Sequence, residues 1–178
     1  MNMIAVIIVL ILAANIACAA DFSDYPTFLT NAGVVDVTFV IGDNADIADA
    51  IGAVDIATSL QFYSAKRIES ASMLASEITD VGSQNMIVVG GPCANPVAAK
   101  LMGFPADCME GFKPGTAMVK LFETPKSISI IVAGLNAQDT RRACRIMADF
   151  TSYKDQFKGT EIEVSGTSSK EVYIKKVA

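Results

Sequence analysis

One local theme occurs three times in this chain and constrains its fold more than any other feature. An apolar, β-branched run is followed by a glycine-containing turn with Asn or Asp, and then by a helical pattern. The first copy is Val37 to Ile41, then Gly42-Asp43-Asn44, then Ala45 to Leu60. The second is Met86 to Val89, then Gly90-Gly91-Pro92-Cys93-Ala94-Asn95, then Pro96 to Met102. The third is Ile128 to Val132, then Ala133-Gly134-Leu135-Asn136, then Ala137 to Phe150. A strand that is apolar on every residue needs cover on both faces, which is the habit of parallel strands packed between helices.

The helix starts carry their own signals. Asn44 or Asp46 can cap the first helix, Asn95 followed by Pro96 suits the second, and Asn136 with Asp139 suits the third. In the first helix Ile47, Ile51 and Val54 form one apolar stripe, while Ile56 and Leu60 lie on another, so the spacing predicts burial on more than one side. Two antiparallel hairpins are expected, Ala117 to Phe122 with Ser127 to Val132, and Thr160 to Val164 with Glu171 to Ile174. Ser64 to Ile78 reads as a further helix. The expected class is α/β: a three-layer sandwich with a mostly parallel, mixed sheet of the doubly wound, flavodoxin/Rossmann-like kind, plus hairpin strands. No low-complexity tract divides it, so residues 20–178 read as one domain.

Residues 1–19 read as a signal peptide. Met1 to Ala20 carries no charged side chain, and Met3 to Ala14 is an almost unbroken apolar run. That is the length of a secretory apolar core and short for a hydrocarbon layer of about 30 Å. Ala17-Cys18-Ala19-Ala20 supplies the small residues for cleavage after Ala19 or Ala20, and Asp21-Phe22-Ser23-Asp24 breaks the composition abruptly. No Lys or Arg precedes the apolar run, and two alternatives stay open: a retained anchor, and lipidation at Cys18. With cleavage the chain is not an integral membrane protein; it is exported to the cell surface.

The net charge is −5, and Asp21, Asp24, Asp36, Asp43, Asp46, Asp49 and Asp55 all precede the first basic residue, Lys66. Such a surface argues against nucleic acid and suits cations or a basic neighbour. In an exported protein, Cys93 and Cys108, in a stretch rich in Gly and Pro, read as a disulfide. Cys144 lies in a helical pattern beside Arg141, Arg142 and Arg145 and reads as half-buried and inert.

The chain contains no histidine, which removes histidine-based dyads, general bases and metal sites. No other nucleophile sits in a recognisable setting, so the expectation is a protein that is not an enzyme. The Gly90-Gly91 turn matches no phosphate-binding pattern, and Pro92 and Pro96 remove two donors. A tight turn locked by a disulfide explains it. Asp43, Asp46 and Asp49 could supply oxygen ligands to Ca²⁺, although helix capping accounts for Asp43 and Asp46 equally well. No other cofactor is expected.

Several blocks, in order, resemble the conserved regions of archaeal S-layer proteins. Tyr25-Pro26, Val40-Ile41-Gly42-Asp43-Asn44-Ala45 and Gly52 to Gln61 resemble the N-terminal region. Asn85 to Asn95, Pro105 to Cys108, Phe112 to Gly115, Lys120 to Glu123, Val132-Ala133-Gly134 with Asp139-Thr140-Arg141, and Gly159 to Val164 resemble the C-terminal region. The resemblance implies a non-catalytic surface-lattice component, often cation-dependent, whose partners are other S-layer or envelope proteins, including further copies of itself. Family members usually carry long β-rich insertions between the two regions, whereas here only Phe62 to Gln84 joins them.

Overall fold

The computed structural model describes residues 19–69, 72–168 and 171–178. The expected leader and Cys18 therefore lie outside the described residues, apart from Ala19. In chain order the elements are β1 (Thr30–Asn31), β2 (Val34–Val35), β3 (Thr38–Ile41), α1 (Ile47–Gln61), β4 (Ser72–Leu74), β5 (Met86–Val89), α2 (Pro96–Leu101), β6 (Thr116–Glu123), β7 (Ile128–Gly134), α3 (Ala137–Ala148), β8 (Glu161–Ser168) and β9 (Glu171–Lys176). The repeated theme thus yields β3–α1, β5–α2 and β7–α3. Asp46, Asn95 and Asn136 cap the three helices, each accepting from backbone N–H groups of the first turn.

β1 and β2 form a small antiparallel hairpin, turned by Ala32 and Gly33 with φ of 49° and 77°. Two successive left-handed residues match the right-handed twist of the flanking strands. The other seven strands make one mixed sheet in the order β4-β3-β5-β7-β6-β8-β9. β4, β3, β5 and β7 run parallel, while β6, β8 and β9 join through antiparallel pairings. Both predicted hairpins form and enter the main sheet, which is mixed as expected, with four parallel strands and three joined antiparallel. The β6–β7 hairpin delivers β7 to β5 and leaves the outer edge of β6 free to take β8.

The sheet separates two cores. On one face α1 and α3 pack over Phe39, Ile87, Val89, Ala117, Val119, Ile130, Val132, Ile162 and Val164. On the other, short α2 places Val97 and Ala98 against Val40, Met86, Val88, Ile131 and Ala133. All four residues of β5 are buried, as their unbroken apolar character demands. At the base of α3 an aromatic cluster ties in the N-terminal segment, with Tyr25 edge-on to Phe150 at 4.9 Å and Phe22 edge-on to Phe157 at 6.0 Å.

Two expectations are corrected. Ser64 to Ile78 contains β4 and a single 3₁₀ turn, Ala75–Glu77, and among its described residues no α-helix. β4 pairs with β3 through Phe39↔Ser72, Val40↔Met73 and Ile41↔Leu74, so the open edge of a buried strand overrides weak local helix propensity. The second correction concerns α1. Gly52, Ala53, Ile56 and Leu60 are buried, but Ile47 is 76% exposed and Val54 62% exposed, with Ile51 also exposed. α1 packs chiefly on α3, β3 and β5, all on its inner side, so its second apolar stripe is bare.

α1 and α3 approach closely at Gly52. A Cβ built there would stand 2.6 Å from the sulfur of Cys144 and 2.9 Å from its Cβ. Cys144 is fully buried rather than half-buried, and burial pushes its thiol pKa far up, which keeps it a neutral packing group. Gly→Ala inside a helix normally stabilises by about 1 kcal/mol. Here Gly52→Ala is expected to destabilise by roughly 1–3 kcal/mol through overpacking. A combined Gly52→Ala, Cys144→Gly protein should recover part of that loss, measurable as a coupling energy in urea unfolding.

Candidate functional site at the carboxyl ends of the central strands

The chain leaves β3 through α1 to β4 on one side, then returns past β3 to β5 on the other. In open α/β sheets such a reversal opens a crevice at the carboxyl ends of the two strands, where ligands most often bind. Asn95 holds this crevice together. Its side chain is completely buried, and its Nδ2 donates to Val40 O at 3.2 Å and to Val89 O at 3.0 Å. Its Oδ1 accepts from the N–H groups of Val97 at 3.0 Å and Ala98 at 3.4 Å. One side chain therefore joins the ends of β3 and β5 to the start of α2. The sequence reading found Asn95 only as a cap.

The approach is close enough to restrict residue type. A Cβ on Gly42 would lie 1.8 Å from Ala94 O, and Gly90 has φ of 99°. Both are places where only glycine fits.

The disulfide read from the sequence is present: Cys93 and Cys108 are joined, with Cα atoms 5.0 Å apart. It ties the turn after β5 to the loop that carries Met109 and Phe112. Beside it lies a cleft of about 130 Å³, lined by Asp46, Asp49, Cys93, Met109, Phe112 and Asn136 together with the backbone around Gly91 and Gly134.

The three candidate cation ligands have separate surroundings. Asp43 accepts hydrogen bonds from the backbone N–H and hydroxyl of Ser76, which fastens the loop after β3 to the turn after β4. Asp46 caps α1 through Ala48 N at 2.8 Å. Asp49, in the first turn of α1, is only 3% exposed, and its Oδ1 has no hydrogen-bond partner among the described residues. Also among the described residues, no three His, Cys, Asp or Glu side chains are grouped to hold a metal ion. Asp139, also buried, is committed elsewhere: it pairs with Arg142 at 2.9 Å and accepts from Gly115 N at 3.2 Å, fixing the entry to β6.

No protein-family model matches this sequence, and no curated protein is similar to it at a significant level. Among the described residues, no helix is long and apolar enough to cross a membrane.

Asp49 gives the site a pH signature. Burial, and secondarily the charge of Asp46, pushes its carboxyl up to about 6. The folded state then holds a proton that the unfolded state, titrating near the ordinary value of 3.8, has already lost. Stability is therefore expected to fall as pH rises from about 4 to 6. Asp21 acts in the opposite sense: the Ser23 N–H lowers its pKa, so its contribution is lost at lower pH. Comparing urea unfolding of Asp49→Asn with the parent across that range isolates the effect. The variant should lack the decline and be the more stable protein above pH 6.

Proposed function

We propose that this protein is an exported, non-catalytic structural component of the cell surface, an S-layer or S-layer-associated subunit whose contacts are made with other copies and other envelope proteins. The observation that carries this reading is the bare apolar row on α1. Ile47, Ile51 and Val54 lie at helical spacing on its outer side, and Phe62, just past its end, is 86% exposed. A row of apolar side chains turned outward on a helix leaves nonpolar surface in water, and on a monomer such an exposed apolar row marks an association face. The occupant proposed for it is a second copy of this chain. The ordered sequence blocks that resemble S-layer proteins support the same reading, as does the disulfide, which suits an oxidising compartment. The strand order on either side of β3 supports placing the fold with doubly wound, flavodoxin/Rossmann-like sheets.

A second reading is an exported module that recognises an envelope polymer or a basic partner protein. The exposed carboxylates of Asp24, Asp36, Asp43 and Asp46 favour it. Fractionation of the producing cells, with negative-stain microscopy of the purified protein with and without Ca²⁺, tests the main reading. Recovery in the envelope fraction and ordered assemblies are expected. A protein found only in the cytosol would overturn it, and a surface-bound protein that never self-associates would favour the second reading.

A further inference from the structure

The cleft beside the disulfide has a composition that selects one ligand chemistry. Its lining includes Asp49, a buried carboxylate whose Oδ1 has no hydrogen-bond partner among the described residues. A buried charge without a partner is costly, and a ligand that supplies hydrogen-bond donors and positive charge there removes the cost. Among the described residues no Lys or Arg lines the cleft, so an anion would find no counter-charge from them. Met109, Phe112, Leu135, Ala94 and Ala137 give it an apolar wall, and the other polar side chains in the lining, Asp46, Asn136 and Thr140, are already bonded to backbone N–H groups. Ca²⁺ takes six to eight oxygen ligands. Asp43 is fastened to Ser76 and Asp46 is capping α1, so the cleft offers far fewer. An aliphatic stem, by contrast, gains from every apolar atom it covers.

We infer that this cleft is a binding pocket for an organic cation, a primary ammonium or guanidinium group on a short aliphatic stem. The head group pairs with Asp49, and the stem lies along Met109 and Phe112, which the Cys93–Cys108 bridge holds in place. The same chemistry is offered by a free alkylamine and by a Lys or Arg side chain of a neighbouring protein.

The test is calorimetric titration of the full protein above pH 7 with methylammonium, n-butylammonium, n-butylguanidinium, 1-butanol and CaCl₂. The two butyl cations should bind more tightly than methylammonium, and 1-butanol should not bind. Asp49→Asn should weaken the butyl cations by roughly tenfold or more, the scale expected for a charge-assisted contact. Met109 is exposed, so Met109→Ala keeps the fold and should reduce the advantage of butyl over methyl. Unchanged butylammonium binding in Asp49→Asn, or Asp49-dependent binding of Ca²⁺ with none of the alkyl cations, would overturn the assignment. Sedimentation in the presence of n-butylammonium separates the sources. Dissociation of assemblies, matched by Asp49→Asn, identifies a side chain of a second copy as the ligand, and unaltered assembly alongside calorimetric binding identifies a free amine. Val54 and Phe62 do not line this pocket, so changes at those two positions leave it intact and failure here is distinguishable from failure of the proposed association face.

Discussion

Asn95→Ala is expected to be among the most damaging single changes in the molecule, costing about 3–5 kcal/mol, because it strands several buried backbone groups at once. Val40 O and Val89 O lose the donor that links them, and Val97 N and Ala98 N lose their acceptor at the start of α2. The residue is completely buried, so water does not readily replace those partners. Asn95→Asp makes a sharper comparison. It keeps an acceptor for Val97 and Ala98 but turns a carboxylate oxygen toward two carbonyls, and should be at least as destabilising at neutral pH. Urea unfolding measures both. Hydrogen exchange should show the loss concentrated in α2 and the ends of β3 and β5, with the β6–β7 hairpin protected until global unfolding.

Removal of the disulfide, as Cys93→Ser with Cys108→Ser, is expected to cost about 3 kcal/mol, the loop-closure value for a loop of about 15 residues. For a chain of this size that corresponds to a drop in melting temperature of roughly 10 °C. Cys93 and Cys108 are separated by 15 positions, and α2 lies inside the loop they close. α2 has only six residues and could not persist by itself, so it depends on that closure and on Val97 and Ala98 packing under it. Cys93 is exposed, so reducing agent alone should reproduce most of the shift in thermal melts. A melting temperature unmoved by both treatments would show that packing, not the cross-link, holds this loop.

How much of this was legible in the sequence depended on where each signal is written. β3, β5 and β7 were readable because strands buried on both faces are apolar at nearly every position, Thr38 and Ser129 apart. The caps were readable, Asn95 and Asn136 directly and Asp46 as one of two candidates, because an Asn or Asp at a helix start has a local chemical reason. β4 was not. Ser72, Met73 and Leu74 form a strand because β3 has a free edge beside them, which is a property of the assembled sheet. The outer stripe of α1 was seen as apolar, but whether another layer covers it is likewise set by tertiary arrangement. At the site, the disulfide and the acidic turn were identified as residues, while the division of Asp43, Asp46 and Asp49 among a loop tether, a cap and a buried carboxylate needed coordinates. The extra Asn95 contacts followed from strand order. Met109 had no signal beyond its nearness to Cys108, and Phe112 stood out only as the start of a block in the S-layer resemblance.

Sedimentation velocity across a concentration series, run on the protein and on a Val54→Glu, Phe62→Ser variant, tests the association face most directly. Both positions are largely exposed, so the variant should melt at nearly the same temperature as the parent. Self-association of the parent as concentration rises is the expected result, with the variant staying monomeric. A parent that remains a monomer throughout, or a variant that associates equally well, would contradict it.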